Sequence, residues 1–512
     1  MSKKINQLKV GVILSYISSI LNFVVSVTYT PVMIRLLGQS EYGLYTLVAS
    51  FVSYLSLFSL GFTGAYLRYY SRYKSKNDEE GEAKLNGIFL IIFIIMGIIA
   101  LVSGLILSQF ASEIFGSKLS ATELSKSKIL MEILVLNISL TFPSTIFDSI
   151  IGAHEKFIFQ RSITILGVLF NPIICLPLLL MGYGSISMVV VTTCITIFKL
   201  LLNIIYSFKK IKVRFIFKNL DFKIVKDIAT FSFFIFLNMI IDQVNWSLDK
   251  FVLGRVDGTN SVGIYGVGAT INTVFISLSS VISSVFCPRV NRIVASNKPE
   301  KEKDNELTEL LIKVGRLQYI VVLFITLGFI FAGQSFVIWW VGAEYSESYY
   351  VALLLIAPLA IYLPHSLGIE IRRAKNKHQK ASIIMLITAI VNCVISIPLS
   401  IKFGAIGAAL GTLIGNIINL TWLDIYYTKD IHLDIKKLYL NIFKISMSVF
   451  PAIIFAFVGL IKSNLKFDFI WAIIFSLTYF IMLYIFGFNE FEKNNVKKIL
   501  EKIWRKKNDN YF

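Results

Sequence analysis

Charge is what this chain has least of. Only 16% of its 512 residues are Asp, Glu, Lys or Arg, where a soluble domain carries about 25%. That shortage excludes an ordinary water-soluble enzyme. Acids are the scarcer sign, 31 against 50 Lys plus Arg, for a net charge of +19. Cysteine is also rare: Cys175, Cys194, Cys287 and Cys393 all sit in apolar runs with no CxxC spacing. A disulfide framework and a cysteine metal site are therefore excluded, and the four read as small packing residues. Of the four histidines, His154, His378 and His432 lie in or near loops. His365 alone lies in an apolar run, with no acid or cysteine at ligand spacing, and reads as a polar packing residue. No phosphate-binding glycine loop is present. Gly407, Gly411 and Gly415 form a small-residue stripe of the kind that lets helices approach closely in lipid.

Long apolar runs are what the chain has instead. A bilayer core is crossed by about 20 apolar residues. Fourteen runs qualify, over 10–34, 42–66, 86–110, 129–152, 162–182, 185–208, 229–252, 261–288, 315–340, 349–371, 381–401, 404–427, 440–461 and 468–488. The first is too long for a signal-peptide core and reads as a retained span. The fold class expected is an all-α polytopic membrane protein.

Lys and Arg mark the cytoplasmic side of such a chain. With the N-terminus inside, 40 of the 50 basic residues fall in inner segments or the inner ends of spans and 9 in outer ones, leaving Lys199 deep within a span. Both termini are thereby expected in the cytoplasm. Basic residues spread over eight membrane-bounded segments exclude a nucleic-acid binder. Trp339, Trp340, Tyr345, Tyr349 and Tyr350 bracket an outer loop as interfacial anchors. The tail carries Val496, Ile499, Leu500, Ile503 and Trp504 at helical spacing among lysines, a basic amphipathic helix suited to the inner leaflet. The stretch 209–226 is expected to behave likewise, and 297–309 is a solvated charge run forming a connecting helix.

The chain also repeats itself. Leu37-Gly38 recurs as Leu253-Gly254 at an offset of 216, and Gly43-Leu44-Tyr45 as Gly263-Ile264-Tyr265 at 220, the difference being four extra residues between Gly254 and Gly263. Arg72 and Asn77 match Arg292 and Asn297, while Pro143, Asn171 and Pro177 match Pro364, Asn392 and Pro398. Both copies start on the same side, so the repeat is parallel, about an axis along the membrane normal. The expected organisation is an N-lobe over 1–208 (spans one to six), a C-lobe over 209–428 (spans seven to twelve), spans thirteen and fourteen over 429–490, and a tail over 491–512. Two facing six-helix lobes suit alternating access, and the repeated prolines are candidate hinges or kinks.

Polar residues inside spans are costly and mark pathways or partners. Lys199 is the sole mid-span base. It could hold a diphosphate or neutralise an acid. Asp242 lies in mid-span seven where the first copy has Ser26, and Asn238, Asn245 and Asp249 share its helical face. That stripe suits sugar hydroxyls, and Asp242 is the candidate for coupling by H⁺ or Na⁺; pairing with Lys199 is the alternative. Asn22 is the polar residue of span one, with Ser26 and Thr28. Asp249 with Lys250 also fits an interfacial structural pair. Glu132, Asp148, Glu370 and Asp424 lie near span ends, at headgroup depth.

Arg35-Leu-Leu-Gly38-Gln-Ser-Glu-Tyr-Gly43-Leu-Tyr45, with Asp249-Lys-Phe-Val-Leu-Gly254 and Val262-Gly-Ile-Tyr265, resembles a known family. The chain is similar over its whole length to Wzx-type polysaccharide-repeat (O-antigen and capsule) flippases of the multidrug/oligosaccharidyl-lipid/polysaccharide (MOP) superfamily. The resemblance implies a non-enzymatic flippase that moves undecaprenyl-diphosphate-linked oligosaccharide from the inner to the outer leaflet of a bacterial plasma membrane. It also implies membrane lipids and a polysaccharide polymerase with other export machinery as partners, and no cofactor. Lipid II flippases carry arginines within the first spans and many MATE exporters an acid in span one; both are missing here, which disfavours both subfamilies. A membrane polymerase or glycosyltransferase would need catalytic groups on sizeable outer loops, and the longest, about 111–128, holds only Glu113, Glu123 and three lysines.

Overall fold

In hydrocarbon a backbone must satisfy its own hydrogen bonds, which for an open chain means helices. The computed structural model, which describes residues 7–116, 118–220, 223–454, 458, 468–490, 492–494 and 497, is about 90% helical with no strand among the described residues. In chain order the helices are α1 (Gln7–Val52), α2 (Phe62–Ser75), α3 (Glu79–Gln109), α4 (Ala111–Phe115), α5 (Ala121–Ala153), α6 (Phe157–Leu180), α7 (Gly184–Tyr206) and α8 (Lys223–Val256). They continue as α9 (Thr259–Val294), α10 (Glu300–Val341), α11 (Ser348–Tyr362), α12 (Ser366–Ala374), α13 (Gln379–Tyr426), α14 (Ile435–Ser448) and α15 (Asp468–Met482). Eight stretches among the described residues are long and apolar enough to cross a membrane. Two of these, 10–75 and 379–431, each cover two sequence-read spans, broken by non-helical backbone at Gly38 (φ 74°) and Gly404 (φ 56°). Ile20, Ile173 and Ile401 are more than 60% exposed, a surface that only lipid makes inexpensive.

The chain divides into two compact units. The first comprises residues 1–267 and 385–415. Here α3 packs on α5, α5 on α7 and α1 on α6. Proline and glycine set the α3–α5 approach: Pro143 has no N–H for the Ser139 carbonyl, and a side chain at Gly97 would come within 2.8 Å of that oxygen. The arms 385–403 and 405–415 of α13 close on each other through the glycine stripe. Cβ atoms at Gly407, Gly411 and Gly415 would meet Leu399 O at 1.9 Å, Ser396 Oγ at 2.2 Å and Asn392 Cβ at 2.8 Å, so these glycines serve close packing as expected.

The second unit comprises 268–384 and 416–512. Its core gathers Leu310, Leu367, Leu438, Ile445 and Tyr479 around α10. A bidentate pair, Arg316 Nε and Nη2 on the Glu492 carboxylate at 2.8 and 2.7 Å, fastens the segment after α15 to α10. His365 does have an acid near it, since Asp424 Oδ1 lies 3.4 Å from its Nε2 and Tyr439 donates to the same carboxylate. No sequence spacing could disclose that pair, because 59 residues separate its members.

Several sequence expectations change. The left-handed glycine equivalent to Gly38 is Gly258 (φ 93°), at an offset of 220, not Gly254. The four extra residues prolong α8 by a turn, and Gly254 lies inside it against Leu47. Residues 212–220 form no amphipathic helix. They run extended along α3, where Ile216 N–H donates to the Ala83 carbonyl (3.0 Å) and Asn86 to the Arg214 carbonyl (3.2 Å), with Phe215 against Phe147. Of the five aromatic anchors, only Trp339 and Tyr350 are exposed; Trp340, Tyr345 and Tyr349 are buried, Trp340 stacked on Phe336 and the Tyr349 hydroxyl donating to the Ile330 carbonyl at 3.0 Å. The charge run 297–309 supplies the first turns of α10 instead of a separate helix. The amphipathic tail at 496–505 falls almost wholly outside the described residues.

Candidate transport site

The polar stripe on α8 splits into two environments. Asp242 and Asn245 are exposed, Asn238 is half-buried, and Asp249 is 3% exposed. Asp249 Oδ2 accepts hydrogen bonds from the Tyr265 hydroxyl of α9 (2.6 Å) and the Thr412 hydroxyl of α13 (2.7 Å). Its hydrogen-bond donors are these hydroxyls rather than Lys250. Asp242 forms neither a hydrogen bond nor an ion pair among the described residues. Lys199 on α7 is half-buried and likewise unpaired among them, so it does not neutralise Asp242. Asn22 on α1 is exposed, its amide donating back to the Ser18 carbonyl at 2.9 Å. The structure thus leaves Asn22, Lys199, Asp242 and Asn245 with polar groups accessible and builds Asp249 into the packing.

At the other end of α1, the two repeat copies meet within the first unit. A Cβ at Gly43 would lie 1.8 Å from the Thr259 carbonyl oxygen, and one at Gly263 2.8 Å from the Gln39 oxygen. Positions 39 and 43 correspond to 259 and 263 at the offset of 220, so each contact is the mirror of the other, as at a two-fold interface. Only glycine permits this approach. Glu123 secures it: Oε1 accepts from Ser40 Oγ (2.7 Å) and from Thr259 Oγ1 (2.7 Å), while Oε2 and Ser120 form the capping box of α5. Alongside, Glu41 Oε1 accepts from Lys126 Nζ (2.7 Å) and from the Ser185 N–H at the start of α7 (2.6 Å), where negative charge suits a helix N-terminus. The sequence signal for Glu123 was the Ser-x-x-Glu pattern; nothing in it named Ser40 or Thr259.

In the second unit, a cavity of about 500 Å³ opens at the end of α9, lined by Val285, Pro288, Arg289, Arg292, Ile293, Ser296, Lys298 and Glu306. Arg289 and Arg292 lie one turn apart on one face. Both are exposed and neither has an ion-pair partner among the described residues, whereas Lys298 is paired with Glu302 and Glu306 at 3.0 Å. Two free guanidinium forks beside Val285 and Pro288 can hold an anionic group whose remainder is apolar. These arginines were not singled out from the sequence; the repeat match of Arg292 with Arg72 was the only hint. No group of His, Cys, Asp or Glu able to hold a metal occurs among the described residues.

Comparison with known proteins bears on the same geometry. A family model described as "Polysaccharide biosynthesis protein" matches residues 8–294. A curated protein of Shigella flexneri, named "Putative O-antigen transporter", is 22% identical over 411 residues, covering 77% of this chain and 91% of its own. The solved structure of the lipid II flippase MurJ in an inward closed conformation aligns with a TM-score of 0.71 and 21% identity, covering 93% of this chain and 98% of that one. An inward-facing multidrug resistance MATE family transporter of the MOP superfamily aligns with a TM-score of 0.57 and 14% identity, covering 80% and 98%. At these identities the structures establish fold, and that fold is the MOP fold. Homologues and fold neighbours alike are transporters and flippases rather than enzymes. The chain is a multi-pass membrane protein that belongs to the polysaccharide biosynthesis protein family, a flippase-type transporter with the MOP fold.

Proposed function

We propose that this protein flips undecaprenyl-diphosphate-linked oligosaccharide repeat units from the inner to the outer leaflet of a bacterial plasma membrane, for cell-surface polysaccharide. The observation that carries the reading is the pair of arginines, Arg289 and Arg292, without ion-pair partners among the described residues, rimming a cavity of about 500 Å³ beside Val285, Pro288 and Ile293. A diphosphate with a polyprenyl tail combines the two chemistries that such a cleft accepts. The basic-residue count puts this end of α9 at the inner leaflet, where the cargo is made. Alternating access supplies the stroke: fourteen spans in two six-helix lobes and a terminal pair load at the inner end while the Gly43–Gly263 crossing is closed, then open it to release. Lys199, Asp242, Asn245, Asn238 and Asn22 are assigned to the path of the headgroup. An exposed acid in lipid is expensive, which supports a water-filled surface at Asp242 and its use in coupling by H⁺ or Na⁺. A polysaccharide polymerase and other export machinery would take the product on the outer side.

The test is deletion of the gene and identification by mass spectrometry of what accumulates. A lipid-linked oligosaccharide that builds up in the deletion strain and clears on re-expression supports the reading. Re-expression of R289A/R292A, at wild-type abundance, should restore less than about a tenth of surface glycan, since each lost charge-assisted pair costs about 1.5–3 kcal/mol. Unchanged lipid-linked intermediates together with gained drug resistance on expression would replace the reading with a cation-coupled exporter.

A further inference from the structure

The two repeat copies build the same corner at the end that the basic-residue count assigns to the cytoplasm, but with one exchanged side chain. In the first copy α5 ends at Ala153, and Glu155 takes a left-handed conformation (φ 56°) before α6. In the second, α12 ends at Ala374 and Asn376 does the same (φ 55°) before α13. Lys212 (φ 60°) and His432 (φ 64°) form a further matched pair, each following a wide π-type turn, Ser207–Ile211 and Tyr427–Ile431. Inside each corner an acid near the start of a long helix, Glu82 of α3 or Asp304 of α10, faces a base one residue before the left-handed position. That base is His154 in the first copy and Lys375 in the second.

The Lys375 ammonium bonds both Asp304 and the Ile431 carbonyl (3.0 Å), with the side chain 9% exposed. This corner is permanently fastened. His154 instead keeps Nδ1 against the Ile150 carbonyl (2.9 Å), so its Nδ1 must carry a proton. In the neutral ring Nε2 is then an acceptor, 3.2 Å from a Tyr70 hydroxyl whose one proton Glu82 also attracts, and it has no proton to offer Glu82 Oε1 at 3.5 Å. A second proton turns Nε2 into a cationic donor to Glu82 and reproduces the Lys375–Asp304 arrangement. Protons have access, because the imidazole and Glu82 line a polar cavity of about 240 Å³ with Lys74, Glu79, Asn86, Lys212 and Arg214. The groups facing His154 are thus Tyr70 and Lys74 of α2, Glu79 and Glu82 of α3, and Lys212 and Arg214 after α7.

We infer that His154 is a proton-operated version of the fixed Lys375 fastener. Doubly protonated, it ties the α5–α6 corner to α3; with a single proton on the ring the tie is absent, while the second copy's corner stays closed. The first copy's corner therefore loosens when the imidazole gives up its second proton, independently of what the cargo is.

The test is hydrogen–deuterium exchange on the purified full-length protein between pH 5.5 and 8, corrected for intrinsic exchange, reading amides of 150–160 and 79–87. The wild type is expected to gain roughly fivefold protection in these segments at low pH, the size of a part-exposed ion pair, with 370–380 unchanged. His154→Lys should hold the segments protected throughout, and His154→Gln and Glu82→Gln should each abolish the pH dependence. A wild-type pH dependence that survives His154→Gln or Glu82→Gln, or its absence from the wild type, overturns the inference. Should His154→Lys not fold, the two glutamine variants decide alone.

Discussion

Asp242 and Asp249 stand seven residues apart on α8 and live in different solvents. Asp249 is 3% exposed and receives hydroxyl hydrogen bonds from α9 and α13. Asp242 is exposed and has no partner among the described residues. A buried carboxylate is tolerable only with its donors in place, so Asp249 is a joint between three helices. An acid left without donors among the described residues gains nothing for the fold, which is why we propose Asp242, and not Asp249, for transport. The difference teaches that depth in a span does not separate a charge built into the packing from one left open; its partners do.

The comparison breaks most visibly in stability. Asp249→Ala leaves the Tyr265 and Thr412 hydroxyls unpaired in a packed interior and should cost about 3 kcal/mol, read as lowered abundance and melting temperature in detergent. Asp242→Ala should stay within about 0.5 kcal/mol of wild type and yet lose complementation of a flippase-deficient strain. Equal destabilisation by both would dissolve the distinction. Gly43→Ala comes next, since the methyl group would run into a backbone carbonyl at 1.8 Å. A loss of about 1–3 kcal/mol is expected, along with faster reaction of a cysteine at position 40 with an impermeant thiol reagent.

A smaller effect is expected from acid. Burial pushes the Glu41 carboxyl up, but hydrogen bonds from Lys126 and the Ser185 amide outweigh it and hold the group below the usual carboxylate range. Its contribution is therefore complete above about pH 4.3, the unfolded value, and is lost as pH falls through the lower folded value. Glu41→Gln should flatten the acid limb of the melting-temperature profile and leave pH 7 to 8 parallel to wild type. The least effect on the fold belongs to Lys199→Ala, within about 0.5 kcal/mol, so that any loss of glycan export in this variant reports on transport.

Much of the fold was legible because it is local. An apolar run of span length, a lysine-rich loop and a glycine stripe each act through neighbours in sequence, and Gly407, Gly411 and Gly415 pack closely as their spacing implied. The repeat was legible for a related reason, since matched turns keep matched residues; it slipped only at Gly254, where helix extension moved the left-handed glycine to Gly258. The site was far less legible. Asn238, Asp242, Asn245 and Asp249 looked like one stripe because helical spacing ignores what packs on each end of it. Arg289 and Arg292 looked like inner-loop charge until the cavity beside them was seen.

The sequence by itself determined that this chain lives in a membrane as helices, and that two copies of one plan make up most of its length. Hydropathy and periodicity are properties of a segment, and segments carry them before folding. Tertiary structure alone decided that Glu123 meets Thr259, that Tyr265 and Thr412 claim Asp249, and that Arg289 and Arg292 remain unclaimed among the described residues. Those are pairings across 136, 16 and 163 residues, or the lack of any. The energy of a buried polar group depends on its partner, and a partner exists only once the chain has folded.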